Sequence, residues 1–323
     1  MTTRRKILQL MGATLAATAM PQLASAQQWP NKPIRAIVPF SPGSTTDVIG
    51  RIVLERLSAA LGQPIVIENR GGAGGTIGSA LVARAEPDGY TILVHAAAHS
   101  AAPAAYPNAP YNAGRDLSGV ALFGVVPNVV VVEPSKGFKT LKDLVDVAQK
   151  GSLTFSSAGI GSATHWAAER LRLSAGFKAL HVPYKGGPEA LTDVATGRVD
   201  FMCPGVTSAL PFILSGRLIP LAVSTQKRSS LLPDVPTTIE AGYPDSDYSF
   251  WNGLLVPAKT PRAVVNRLHA EIQKVLQQPG VIEKLKRQGV EPVVLSPLEF
   301  DAMIHKEIES NLAIVKAAGL KFN

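Results

Sequence analysis

Ile34-Arg35-Ala36-Ile37-Val38-Pro39-Phe40-Ser41-Pro42-Gly43-Ser44-Thr45-Thr46-Asp47-Val48-Ile49 is the stretch that sets the fold class of this chain. Its first seven residues are short, apolar and β-branched, which predicts a strand, and Ser41-Pro42-Gly43-Ser44 then forms a turn. Beyond the turn Val48, Ile49, Ile52, Val53, Leu57 and Leu61 recur at helical spacing. Thr45 or Thr46 can cap that helix, Asp47 favours its first turn and Gly62 ends it. The unit is strand, tight loop, helix.

The unit repeats along the chain. Ile65–Glu68 reads as a strand, Thr76–Ala85 as a helix and Thr91–Val94 as a strand. Leu153–Ser156, a helix from Ala163 to Ser174, Ala179–Val182, Pro188–Thr196, Val199–Met202, Ser208–Leu214 and Ile219–Val223 continue the alternation. Helices over Pro261–Leu276, Val281–Gln288 and Pro297–Ala317 close the chain, the last behind the capping box Ser296-Pro297-Leu298-Glu299. Such alternation predicts parallel sheets covered by helices, and 323 residues predict about two α/β domains. No Gly-, Ser- or Pro-rich linker divides the chain, so it is expected to cross between domains near Val125–Pro134 and Pro244–Leu255. The expected division is 27–125 with 250–323 as one domain and 126–249 as the other.

Composition narrows the function classes. Charged residues make up 17% and apolar ones 46%, which fits a folded globular chain and excludes disorder and multispan membrane folds. The single Cys203 excludes an internal disulfide or a cysteine-built metal cluster. Met1–Ala26 reads as a cleavable export signal: Arg4, Arg5 and Lys6 precede an apolar run from Ile7 to Met20, and Ala24-Ser25-Ala26 is the cleavage site. The paired arginines suit the twin-arginine route and the general secretory route alike. Cleavage removes three of the formal +8 charges and leaves +5 on 297 residues. The densest mature basic run, Lys284–Arg287, is interleaved with acidic and apolar residues, so no nucleic-acid stripe forms.

Two loops can hold an anion. Ser41–Thr46 and Ser157-Ala158-Gly159-Ile160-Gly161-Ser162 each feed a helix start, where unpaired N–H groups and the positive end of the dipole suit a carboxylate. Both can equally be plain strand-to-helix turns. Ser162 with His165 could form a nucleophilic dyad, yet the second glycine of a nucleophile elbow is absent and Ser162 is also placed to cap. Gly71-Gly72-Ala73-Gly74-Gly75 misses the dinucleotide spacing, and His95 with His99 lacks an acidic partner for a metal. Neither cofactor nor metal is expected. Trp166, Trp251, Phe250 and Tyr184 read as core or cleft-wall aromatics.

In these motifs, and in their order, the chain resembles the substrate-binding receptors of tripartite tricarboxylate transporters, the Bug-type periplasmic proteins. The resemblance runs from Trp29-Pro30-Asn31-Lys32-Pro33 through Val38-Pro39-Phe40-Ser41-Pro42-Gly43, Glu68-Asn69-Arg70-Gly71-Gly72 and Pro87-Asp88-Gly89-Tyr90. It continues through Ser157–Ser162 with His165, His181-Val182-Pro183-Tyr184-Lys185-Gly186, Leu232-Pro233-Asp234-Val235-Pro236 and Trp251-Asn252-Gly253-Leu254. It implies two doubly wound α/β domains joined by a hinge, a Venus flytrap that closes on a small carboxylate and hands it to a membrane permease. It implies a periplasmic, non-enzymatic protein that works without nucleic acid, expected here as a monomer. The implied ligand residues are Phe40, Ser41, Gly43, Ser44, Thr45, Thr46 and Asp47 in the first loop, with His99. From the other side come Ser157, Ala158, Gly159, Gly161, Ser162 and His165, then Tyr184, Lys185 and Gly186. Many relatives carry a second glycine where this chain has Ser44, which implies a narrower loop or an added hydroxyl contact. Asp47 can touch ligand or shape its own loop. An exported hydrolase built on Ser162 and His165, or a sensor for a signalling partner, are the alternatives, and the identity of the acid is not written in the sequence.

Overall fold

A computed structural model describes residues 29–151 and 153–318; the expected export signal lies outside them. The elements below belong to the compact unit that begins at Lys32. The quoted stretch folds as β1 (Ile34–Val38), a loop, and α1 (Thr45–Leu61). Then follow β2 (Ile65–Asn69), α2 (Thr76–Ala83), β3 (Thr91–Ala96), α3 (Ala98–Ala105), α4 (Ala113–Asp116) and β4 (Leu117–Pro127). The second set is β5 (Val129–Val132), α5 (Leu141–Lys150), β6 (Leu153–Ser157), α6 (Ala163–Ala175), β7 (Ala179–Pro183), α7 (Gly187–Ala195), β8 (Phe201–Met202), α8 (Val206–Leu214) and β9 (Ile219–Val223). The chain ends with β10 (Ser249–Pro257), α9 (Arg262–Leu276), α10 (Pro279–Arg287) and α11 (Pro297–Ala318).

Two α/β domains result, each around a five-stranded sheet, ordered β2-β1-β3-β10-β4 and β7-β6-β8-β5-β9. The sheets are mixed, where the alternation predicted parallel ones. β1 runs parallel to β2 and β3, while β10 is antiparallel to both β3 and β4. In the second sheet β6 is parallel to β7 and β8, and β5 is antiparallel to β8 and β9. The reversed strand in each sheet is the one that arrives from the other domain. It needs no crossover helix, so it enters from the opposite end and slots between two parallel neighbours.

The domains are joined at Asn128, between β4 and β5, and by the segment from β9 to β10. Asn128 is fully buried and its side-chain amide donates to Cys203 O at 2.7 Å, while its backbone O accepts from Ser224 N at 2.8 Å. The expected crossings, Val125–Pro134 and Pro244–Leu255, fall on the end of β4 with β5 and on most of β10; none of these strands is expected from the sequence, nor is α5. β4 and β5 are buried along almost their whole length, so they carry no period-two alternation, and α5 is a short helix closed by a Thr140–Asp143 capping box. Trp166 and Trp251 are fully buried, as expected of core aromatics.

Candidate functional site

The first loop is closed by its own side chains. Ser44, not Thr45 or Thr46, is the N-cap of α1: its backbone is extended (φ −65°, ψ 157°) and its hydroxyl accepts from Asp47 N at 3.3 Å. An extended cap aims its oxygen back at the helix start, and Thr45 and Thr46 are already inside the helix, so neither can do this. Asp47, buried at 2% exposure, accepts from Gly43 N (2.9 Å), Arg51 Nε (3.0 Å) and Asn69 Nδ2 (2.9 Å). Burial pushes its carboxyl up, but the bonds from Arg51, Asn69 and Gly43 outweigh that and hold it below the usual carboxylate range. Those partners leave Asp47 occupied in shaping the loop.

The second loop repeats the device. Ser162 caps α6 with the same backbone (φ −68°, ψ 160°) and accepts from His165 N at 3.3 Å. Ser157 Oγ accepts from Gly159 N at 3.1 Å and shares a hydrogen bond with His181 Nε2 at 2.6 Å. Thr164 Oγ1 accepts from Ala158 N at 2.9 Å, and His165 Nδ1 accepts from Gly161 N at 3.1 Å. The His165 and His181 rings stack at 4.0 Å on Phe155. Burial first, then the neighbouring charges of His181 and Arg172, drive His165 down to about 2; burial takes His181 to about 4. Both imidazoles are therefore neutral at physiological pH. His165 is turned toward Gly161 through Nδ1, and Ser162 Oγ faces Thr164 Oγ1 at 3.0 Å, so the two side chains are arranged as loop supports rather than as a base aimed at a nucleophile.

The two loops meet around a cavity of about 20 Å³, room for one water-sized sphere. Phe40, Ser44, Thr45 and Thr46 line it from the first domain and Ala158 and Ser162 from the second, all six expected from the sequence. Ala163, Thr164, Gly187 and Ser208 also line it and are not among the expected residues, while Phe250, expected as a core or cleft-wall aromatic, stands in the wall. Four helix starts thus converge: α1 through Ser44–Thr46, α6 through Ser162–Thr164, α7 through Gly187 and α8 through Ser208. The first N–H groups of a helix have no intrahelical partner; those of Ser44, Ser162 and Ser208 are taken by Ser41 O, Gly159 O and Gly205 O, so the backbone donors of this lining belong to the first turns of α1, α6 and α7, beside hydroxyls and two aromatic rings, with no charged side chain. The α8 start was legible as a third strand–glycine–helix junction, Phe201 to Ser208; Phe250 carries no such local signal because it arrives on β10.

The other expected residues stand behind this lining. Ser41 Oγ donates to Glu189 Oε1 across the cleft at 3.0 Å, and Thr45 Oγ1 shares a hydrogen bond with Ser208 Oγ at 3.0 Å. Gly43 and Asp47 shape the first loop, and Ser157, Gly159, Gly161 and His165 the second. Tyr184 is turned away, donating to Asp193 Oδ2 at 2.5 Å, and Lys185 is exposed. Gly186 is buried against Ser41, where a Cβ would lie 2.2 Å from the Ser41 hydroxyl. His99 is not brought to the cavity: it is fully buried inside the first domain, its Nε2 3.1 Å from Ala113 O, because α3 turns its face inward. Gly74, in the loop that misses the dinucleotide spacing, comes so close to the second loop that a Cβ there would lie 2.1 Å from Ile160 O. Beside it Tyr106 donates to Ile160 O at 3.0 Å. Among the described residues no group of three metal-ligating side chains occurs, and no helix is long and apolar enough to cross a membrane.

Known proteins are similar to this chain in sequence and fold. The chain is 40% identical over 304 residues to a protein from the tcbD-tcbE intergenic region of Pseudomonas sp. strain P51, covering 91% of this chain and 90% of that one. Among solved structures, the periplasmic binding protein BugD superposes with a TM-score of 0.85 at 34% identity, covering 91% of this chain and 99% of that one. MatC from Rhodopseudomonas palustris with bound malate gives 0.84 at 30% identity, covering 89% and 100%. An R. palustris protein with adipate gives 0.86 at 32%, covering 90% and 98%. A family model described as "Tripartite tricarboxylate transporter family receptor" matches residues 49–320. With its two α/β domains facing each other across a cleft of helix starts, the chain belongs to the tripartite tricarboxylate transporter receptor family.

Proposed function

We propose that this protein is an exported receptor that captures a small carboxylate between its domains and delivers it to the membrane permease of a tripartite tricarboxylate-type transporter. The observation that carries the proposal is the convergence of four helix starts on one cavity without a cationic side chain in its lining. Backbone donors and helix dipoles stabilise a carboxylate there, and hydroxyls from both domains complete its shell. Phe40, Ser44, Thr45 and Thr46 act from the lobe formed by 27–125 with 250–323, and Ala158, Ser162, Thr164 and Ser208 from the lobe formed by 126–249. The ligand enters while the lobes are apart, and the contacts it gains only between closed lobes shift the population toward closure. The malate- and adipate-bound relatives support a short aliphatic diacid as the ligand class.

The protein acts in the periplasm as a monomer after cleavage behind Ala26, and it catalyses no reaction on its ligand. Gly161→Val tests the site: Gly161 has φ +71° and an added Cβ would lie 2.7 Å from Ala105 Cβ, so the second loop cannot keep its shape. The variant is expected to keep a native far-UV spectrum and to lose binding of malate or adipate by titration calorimetry. Wild-type affinity in the variant contradicts the proposal.

A further inference from the structure

The hydroxyls that line the cleft cavity are not equivalent, because a hydroxyl has one proton to give and two lone pairs to receive with. Ser208 Oγ donates its proton to Gly205 O at 3.2 Å, so in its 3.0 Å contact with Thr45 it is the acceptor and Thr45 Oγ1 the donor. Both protons are spent within this pair, and the two oxygens turn lone pairs to the cavity. Ser44 is the opposite case: its Oγ accepts from Asp47 N at 3.3 Å and makes no donation among the described residues, which leaves its proton for an anion. The Thr45–Ser208 pair is also fixed in place. Thr45 is β-branched and only 4% exposed, and an added Cβ at Gly205 behind it would lie 2.7 Å from Thr45 Oγ1 and 3.0 Å from Phe250 Cε1. Gly205 pairs in turn with Asn128, where the chain passes between the domains. Lobes that turn about a hinge move least beside it, so the Thr45–Ser208 contact outlasts a small opening that admits a ligand.

A carboxylate has no proton to offer these lone pairs at neutral pH, whereas a ligand hydroxyl does. An ammonium would donate as well, but no carboxylate in the lining meets its charge. The cavity has room for one water-sized sphere, so its donors and its acceptor pair stand side by side, which places the hydroxyl on the carbon next to the carboxylate. On the reading of the cleft as a carboxylate site, we propose that Thr45 and Ser208 are its specificity-determining residues and that they select a 2-hydroxy acid over the same acid without the hydroxyl.

Malate and succinate differ only in that hydroxyl. Both are titrated calorimetrically into the purified wild type, Thr45→Val and Ser208→Ala, with adipate as a further acid that has no hydroxyl and the far-UV spectrum as the check of folding. The wild type is expected to bind malate about tenfold or more tightly than succinate, since a site built around a ligand hydroxyl rejects the analogue that lacks it. Thr45→Val keeps the shape of the side chain and removes its oxygen, and Ser208→Ala removes the other, so in each the preference is expected to fall to about threefold or less. A merely structural role would weaken both acids alike and leave the ratio where it was. Equal affinities in the wild type overturn the proposal, as does a preference that survives in both variants. Binding of adipate or succinate without a preference for malate overturns it while the carboxylate site stands; binding of none of the three acids overturns both.

Discussion

Gly186→Ala isolates lobe closure from folding. Gly186 precedes α7 with φ −161° and ψ 168°, an extended backbone that alanine adopts without strain. Across the cleft, however, its new Cβ would stand 2.4 Å from Ser41 Cβ and 2.2 Å from Ser41 Oγ. Ordinary carbon contacts begin at 3.4 Å, so the lobes must part by at least 3.4 − 2.4 = 1.0 Å at this point. Ser41 cannot rotate out of the way, because its Cβ is fixed by the backbone. Overpacking of this kind costs about 1–3 kcal/mol. The whole cost falls on the closed form, since in the open form the two residues are apart. The closure equilibrium therefore shifts by about 5- to 150-fold, and the apparent affinity for ligand falls by the same factor. The assay is calorimetric titration with malate and adipate, alongside thermal unfolding of the unliganded protein. Gly280→Ala, where an added Cβ meets nothing within 4 Å, is the control and should leave affinity unchanged. Wild-type affinity in a natively folded Gly186→Ala protein would refute the reasoning.

Asp47→Asn turns one of the two acceptor oxygens into a donor and removes the charge facing Arg51, so stability should fall by about 2–3 kcal/mol in urea unfolding at pH 7, and a loss below 0.5 kcal/mol would contradict the loop-shaping role. Because the Asp47 carboxyl is held low in the fold, its contribution is full above about pH 4 and is lost as the pH falls through the lowered value. Burial depresses His99 to about 4 and His165 to about 2, so their contribution is full above about pH 6.5 and drains away as acid charges the unfolded chain first. Each then costs up to about 1.4 kcal/mol per pH unit below 6.5, and a urea midpoint unchanged from pH 7 to pH 5 contradicts this. Tyr106→Phe loses the bond to Ile160 O across the cleft and should weaken diacid binding about three- to tenfold while leaving unliganded stability within 0.5 kcal/mol; unchanged affinity contradicts the bridging role.

The alternation of short apolar runs with capped helices made most elements legible, because a strand feeding a helix through Gly and Ser is a local pattern. Ile219–Val223 and the start of α11 at Pro297 are found where the sequence puts them. The reversed strands were not legible, since β5 and β10 take their place in a sheet from contacts with strands of distant sequence. Within the site, Ser162 reads as a cap, whereas the first cap is expected at Thr45 or Thr46 and is found at Ser44; the cap geometry shared by Ser44 and Ser162 explains why this chain accommodates a serine after Gly43. Ser208 stands at a strand–glycine–helix junction and Phe250 reads as a core or cleft-wall aromatic, but their place at this cavity is set only by the packing of α8 and β10 against the two loops. His99 shows the opposite error: the family resemblance implies a ligand residue there, yet its ring pairs with Ala113 O inside the first domain.

The most direct test of the central claim is thermal unfolding of the purified protein with malate, adipate and citrate, each beside its neutral methyl ester. A ligand present at 100 times its Kd adds about 2.7 kcal/mol to stability, which raises Tm by several degrees. A site built from helix starts and hydroxyls predicts that at least one acid raises Tm and that its ester, which presents no anion to the N–H groups, does not. Equal shifts from acid and ester, or no shift with any carboxylate at saturating concentration, would contradict it.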